Sequence, residues 1–327
     1  MVETDVHFPT DINLLWDAIR KVVTLTASLS RDNELSLWRQ SAFNLRQIKK
    51  LYRKVQKVKH STSRNESKRE AQQQAIIQAH ERYLLRAKEL VIKAQNTLSQ
   101  SVFSCEIAVV RILEIEGFIV HAKRQIDQIE RRVIRGEKIP HAEKVFSLFE
   151  PHTEWISKGK AGVPVELGLR TCILEDQWGF ILHHRVMKKE TDDQIAVSMV
   201  TEAQKGFPNL KSCSFDKGFH TPGNQIDLKE HLDLVVLPKK GRLNKKEKER
   251  EYSDDFQIAR RQHSAVESGI NALEVHGLDK CPDHGIDGFK RYVALAVLAR
   301  NLQKLGAELR KQERIAEKRL SRRKRAA

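Results

Sequence analysis

The chain has 327 residues, with 59 Lys and Arg against 43 Asp and Glu, a formal net charge of +16. That length suits one large domain or two ordinary ones, and 40% hydrophobic residues are enough to build a core. A disulfide scaffold is excluded, because the four cysteines (Cys105, Cys172, Cys213 and Cys281) are scattered without a CxxC pair. No run reaches the ~20 apolar residues of a membrane-spanning helix. The absence of a P-loop, a GxGxxG and a GxSxG argues against nucleotide-driven and serine-hydrolase chemistry. The basic excess favours a polyanionic partner, with nucleic acid the first expectation. The opening Met1-Val-Glu-Thr-Asp-Val-His is neither basic nor followed by an apolar core, so no signal peptide is read there and a cytoplasmic location is expected.

In chain order, Val2, Thr4, Val6 and Phe8 alternate with Glu3, Asp5 and His7, which predicts a strand up to Pro9. Pro9-Thr10-Asp11 is a helix start. From there to about Arg135 the apolar spacing is helical. The stripes are Leu14–Val22, Leu35–Val58, Ala75–Leu98 and Val102–Val133. The polar stretch Lys57–Arg69 reads as an exposed loop or helix end. This block has almost no Pro or Gly, so an all-helical module is expected.

Gly136 and Pro140 end that block, and Gly159, Gly162 and Pro164 punctuate a loop. Val165–Leu174 and Trp178–Met187 then read as a hairpin around Glu175-Asp-Gln177. Thr191-Asp-Asp caps a helix over about 194–204. Strands are expected in the run to Phe215 and over Leu232–Leu237. The pattern of hairpin, helix, strand, helical turn and strand predicts an α/β fold with a mixed sheet. A basic run follows, Lys239-Lys240-Gly-Arg242-Leu-Asn-Lys245-Lys246, and is expected as a loop. A long helix is predicted over about 256–274. The last helix, about 287–309, carries Phe289, Val293, Leu295, Val297, Leu298 and Leu302. It is apolar nearly all round, so it is expected against the sheet. A basic tail, 310–327, is expected to fray.

Two places carry candidate chemistry. Asp216 stands at the end of a short strand, just before Lys217-Gly218 break it, where a carboxylate is held rigidly at the surface. Glu267 shares a helical face with His263, Ser264 and Asn271, with Arg260 one turn back. An Asp at a strand end and a Glu on a packed helix are the hard oxygen donors that Mg²⁺ or Mn²⁺ takes in phosphoryl transfer. Lys239, Lys240, Arg242, Lys245, Lys246, Arg260, His263 and Asn271 are the candidate contacts to DNA phosphates. Cys281-Pro-Asp-His284 with His276 lacks the second pair that a closed zinc site requires.

The segments VETDVHFPTDINLLWDA (2–18), GKAGVPVELG (159–168), SFDKGFHTPGN (214–224), LVVLPKKGR (234–242), RRQHSAVESGINALEVHGLDKCPDHG (260–285) and FKRYVALAVLARNLQKLG (289–306) carry a family resemblance. Together they make the chain resemble the DDE transposases of bacterial insertion sequences, of the ISNCY-like type. The resemblance covers nearly the whole chain. It implies a ribonuclease-H-like mixed sheet, a large all-helical insertion and a long C-terminal helix. The expected divisions are 1–10 as a strand remnant, 11–138 as the insertion, 139–309 as the catalytic domain and 310–327 as the tail. It also implies double-stranded DNA as partner (terminal inverted repeats and target), a homodimer, and two divalent metals held by three carboxylates. Asp216 matches the second Asp and Glu267 the Glu. The first Asp of the family lies just upstream of the VETD-like stretch, and neither Asp5 nor Asp11 matches it. A position that often carries arginine, four before the Glu, is His263. The expectation is therefore a transposase chain lacking its first catalytic Asp, inactive or severely impaired, with the two-metal site complete only where that Asp is supplied. The alternative is an inactive DNA-binding remnant or regulator of transposition.

Overall fold

The structure, a computed structural model, describes residues 1–100, 106–157, 164–263 and 265–326. Cys105, Gly159, Gly162 and Ser264 lie outside the described residues. The chain divides into two compact units, Val6–Pro151 and Met1–Asp5 with His152–Ala327. It is a mixed α/β protein, mostly helical, with a small mixed sheet and a long C-terminal helix. Among the described residues no helix is long and apolar enough to cross a membrane.

The unit Val6–Pro151 is built from α1 (Asp11–Asp32), α2 (Ser41–Lys57), α3 (Glu66–Gln100) and α4 (Glu106–Ile129), with a widened last turn at Glu130–Ile134. The Thr10 hydroxyl caps α1 by accepting from the Asn13 N–H at 3.2 Å. The stripe Leu14, Leu15, Ala18, Ile19 and Val22 is buried, and α1 packs against all three other helices. A short turn at Ser36–Trp38 buries Trp38, whose indole N–H donates to Thr97 Oγ1 at 2.9 Å. Tyr83 is fully buried and its hydroxyl donates to the Ile12 carbonyl at 3.2 Å. Helix α3 begins inside the stretch expected as a loop. The Asn65 side chain accepts from the Lys68 N–H at 3.2 Å and starts the helix there.

The other unit holds the strands. A five-stranded sheet runs β2 (Glu154–Ser157), β3 (Val165–Glu175), β1 (Val2–Thr4) and β7 (Lys280–Cys281), and β4 (Ile181–Met187) pairs with β3. Strand β1 is antiparallel to β3 and parallel to β7. The expected first strand is shorter than its alternation, ending at Thr4. Past it Asp5 is exposed and paired with Lys280 Nζ at 2.6 Å, and Phe8 is exposed. Inside the sheet Thr4 Oγ1 meets Thr153 Oγ1 at 2.9 Å. A Cβ on Gly168 would stand 2.0 Å from the Val2 carbonyl oxygen, so the β1–β3 contact requires glycine at that position. The hairpin β3–β4 turns at Asp176, whose side chain accepts from the N–H groups of Trp178 and Phe180 at 2.8 Å. This Asx-type turn starts β4 at Ile181, later than the sequence run.

Helix α5 (Asp192–Gly206), strand β5 (Ser212–Ser214), helix α6 (Pro222–His231) and strand β6 (Leu234–Val236) follow, and β5 and β6 form a separate parallel pair. Helices α7 (Lys245–Glu251), α8 (Asp254–His263) and α9 (Ala265–Leu273) come next, then a wide turn at Glu274–Leu278 broken by Gly277 at φ 102°. The last helix, α10, spans Gly285–Ala326. It is not apolar all round in use: Phe289, Val293 and Val297 are buried on one face, while Leu295, Leu298 and Leu302 on the opposite face are exposed. It also continues through the basic stretch expected to fray. Beyond Gly306 that stretch is rich in Ala, Leu, Glu, Lys and Arg and has no Gly or Pro, and those residues favour helix.

Candidate active site

Strand β5 is only three residues long, but β6 fixes its end. The Phe215 N–H donates to the Val236 carbonyl at 2.9 Å, and the Phe215 ring is buried. The next residue, Asp216, is exposed. Its carboxylate accepts from the Lys217 N–H at 2.7 Å and caps the single turn Lys217–Phe219. That turn is clamped from two sides. The Asn224 amide donates to the Asp193 carbonyl at 2.7 Å and to the Phe219 carbonyl at 2.9 Å. A Cβ on Gly218 would meet Asp192 Oδ2 at 2.7 Å. Asp216 is thus a solvent-facing carboxylate on a fixed backbone.

The basic run after β6 does not form one continuous loop. Its second half is α7, started by a capping box in which Asn244 Oδ1 accepts from the Glu247 N–H at 2.9 Å and Glu247 Oε2 accepts from the Asn244 N–H at 2.8 Å. Glu249, Glu251 and Glu247 are interleaved with the lysines, which makes the stretch a capped helix. Lys239 is turned inward: its Nζ lies 2.7 Å from Glu247 Oε1, and its backbone N–H donates to Glu251 at 2.9 Å. The Lys239 ammonium holds the Glu247 carboxyl below the usual carboxylate range. Lys240 reaches the candidate carboxylate's own turn, its Nζ 3.3 Å from the Gly218 carbonyl. Arg242, Lys245 and Lys246 are exposed, and no intramolecular acid engages them among the described residues.

The helix expected over 256–274 is described as α8 and α9. Helix α8 packs on β5 and β6 and buries Phe256, with Arg260 exposed and His263 half-buried. Helix α9 packs on α10 and buries Leu273. Glu267 and Asn271, one turn apart on α9, are both exposed. Ser264, the residue between the two helices, lies outside the described residues, so the expected common face from His263 to Asn271 is described only in its two halves.

Each candidate carboxylate has a half-buried acidic side chain near it that the sequence did not announce. Gly218 stands two residues after Asp216 and makes room for Asp192. Gly269 stands two residues after Glu267, and a Cβ there would lie 2.1 Å from Glu175 Oε2. Burial raises the Glu175 carboxyl above its ordinary value against the opposing pull of Arg300 and Lys304. Its Oε2 is buried with no hydrogen-bond partner among the described residues. The only signal in the sequence was the spacing itself, a glycine following each acid at the same interval.

Asp216 and Glu267 offer the hard, exposed oxygen donors that suit Mg²⁺ or Mn²⁺. Mg²⁺ in phosphoryl-transfer sites commonly takes one or two carboxylates and fills the remainder with water and phosphate. Among the described residues no group of three or more His, Cys, Asp or Glu side chains stands close enough to hold a metal ion. Burial pushes the Cys172 and Cys213 thiols up to about 12, so neither is a thiolate near neutrality. No protein-family model, no curated protein and no solved structure matches this chain.

Proposed function

We propose that this chain holds part of the catalytic site of a DDE-type transposase, whose chemistry is metal-dependent cleavage of element ends and strand transfer into target DNA, on a ribonuclease-H-like fold. The observation that carries the proposal is Asp216. It is an exposed carboxylate at the end of a strand in a parallel pair, on a turn that the basic residue Lys240 also reaches. In this assignment Asp216 and Glu267 would hold Mg²⁺ or Mn²⁺, which when bound would supply activation of water and stabilisation of the leaving oxygen. Lys217 N–H orients the Asp216 carboxylate, and the Gly218 and Asn224 contacts keep its backbone from moving. Arg242, Lys245 and Lys246 present free positive charge to the DNA backbone, with Arg260, His263 and Asn271 as further contacts on α8 and α9. Lys239 contributes by fixing α7, because its charge is already paired with Glu247.

The test is strand transfer by the 327-residue chain on terminal-repeat DNA with Mg²⁺. Turnover by the parent is expected to be absent or severely impaired, and any that it shows is expected to fall by about 100-fold or more in Asp216→Ala and in Glu267→Ala, since each removes a direct metal ligand. Full activity in either variant overturns the site assignment.

A second reading rests on the first Asp of the family pattern, which neither Asp5 nor Asp11 matches. In it the protein binds DNA and regulates transposition without cleaving. The parent chain would then show no strand transfer. It would still bind duplex DNA with a steep fall in affinity as salt rises, unchanged by Asp216→Ala.

A further inference from the structure

The outward face of α10 is not explained by the fold. Leu295, Leu298, Leu302, Leu305 and Leu309 follow one another at alternating steps of three and four residues. That is the heptad spacing of a coiled-coil seam. All five are between 47% and 59% exposed. They lie on the side of α10 opposite Phe289, Val293 and Val297, which bury the helix against its own unit. The stripe is about 21 Å long at the helical rise. A contiguous apolar stripe of this kind marks an interaction surface, whereas single exposed leucines do not.

We infer that this stripe is a dimer interface, pairing antiparallel with the same stripe of a second copy of this chain. Three features select that occupant. A heptad seam is complementary to itself, which a two-fold interface requires. The flank of the stripe holds Ala299 and Gly306, and nothing lies within 4 Å of where a Gly306 side chain would begin, so a second helix approaches closely there. The charges choose the direction. A parallel pair sets Glu308 of one copy beside Glu313 of the other and gathers Arg310, Lys311 and Arg314 of both copies at one end. An antiparallel pair separates both acidic positions and sends the two basic ends to opposite sides. The half-exposed leucines supply on the order of 300 Å² of apolar surface per copy. That is a large share of the ~800 Å² that each partner of a stable interface buries, with the flanking side chains supplying the rest. This inference stands apart from the transposase proposal.

Sedimentation equilibrium on the full chain tests it. The parent is expected to be a dimer at about 50 µM, and Leu302→Glu to raise the dissociation constant about tenfold or more without changing the circular dichroism. Leu298→Gln, a milder change, is expected to act in the same direction if Leu302→Glu perturbs folding. Ile315→Glu, at an exposed position off the stripe, is expected to leave the dimer intact. A parent that stays monomeric at that concentration, or a dimer insensitive to both leucine variants, or one lost equally with Ile315→Glu, overturns the proposal. Glu313→Lys reads the direction. It is expected to change the dissociation constant by less than about twofold; a strengthening of about tenfold means a parallel pair and overturns the antiparallel assignment.

Discussion

The unit Val6–Pro151 and the strand-bearing unit solve the same problem differently. In the first, four helices share one continuous core that runs from Leu14 to Leu148. In the second, the buried side chains fall into three clusters, around Leu169 and Phe289, around Phe215 and Leu237, and around Met187 and Ile195. The candidate residues all belong to the second unit, on elements of ten residues or fewer. A single large core gives uniform cooperativity, while a divided one leaves short segments whose local stability sets them apart. The glycines make the contrast concrete. Gly117 in α4 has nothing within 4 Å of a prospective Cβ, whereas Gly168, Gly218 and Gly269 in the strand-bearing unit are all closely approached.

The sharpest way to break this contrast is Leu15→Ala, which empties a fully buried position in the helical core. It is expected to cost about 2–5 kcal/mol, with hydrogen-exchange protection lost in α1–α4 and retained in β3 and β4. Equal loss in both units would mean that they do not open separately. Gly168→Ala comes next. Its Cβ meets backbone, the Val2 carbonyl oxygen, so a cost of about 1–3 kcal/mol is expected in denaturant unfolding, from strain and displaced β1. An unchanged midpoint would show that β1 adds little to the sheet. Gly117→Ala should have the opposite sign. It fills open space on a helix and is expected to stabilise by about 0.5–1 kcal/mol; a loss of stability would reveal a contact at that face.

The smallest effect is a pH dependence. His80 is buried, with Nδ1 2.8 Å from the Ile76 carbonyl, and burial lowers its pKa below the ordinary 6.5. The unfolded chain therefore takes up this proton at a higher pH than the folded one. Stability is lost as pH falls from about 6.5 to the lower folded value, and no further below it. Thermal melting of the parent is expected to fall over that window, and His80→Gln to flatten the fall. A variant that keeps the parent's slope would assign the effect elsewhere, with His121, also lowered by burial, the next residue to change.

Much of the architecture was legible because it rests on periodicity. The spacing of Leu14, Leu15, Ala18, Ile19 and Val22 defines α1, and the succession from β3 to β6 follows from apolar runs punctuated by Thr191 and by Lys217-Gly218. The position of Asp216 at a strand end was legible for the same reason. What escaped depends on local pairing rather than pattern. Lysines in the run 239–250 look like a loop until Asn244 and Glu247 close a capping box on them. The wide turn Glu274–Leu278 continues past the expected helix end, and Gly277 breaks it with a left-handed φ that apolar spacing does not announce. Helix α10 reads as apolar all round because two separate stripes overlap in composition, and only burial tells the packed one from the open one. Nothing in a linear sequence places Glu175 under Gly269 or Asp192 against Gly218, since those neighbours come from strands and helices far apart in the chain.

Strand β1 sits between β3 and β7, and Glu3 is paired with Gly168 on one side and Lys280 on the other. This has a kinetic consequence. The centre of the sheet joins segments from nearly opposite ends of the sequence, so it closes only after long loops have been brought together, and such non-local pairing is slow. The four helices come from one continuous stretch of chain, and their main packing contact, α1 on α4, closes within that stretch. During synthesis the helices are therefore expected to fold first, as one unit, while Val2–Thr4 wait for β3 on one side and stay open on the other until Lys280 and Cys281 have left the ribosome.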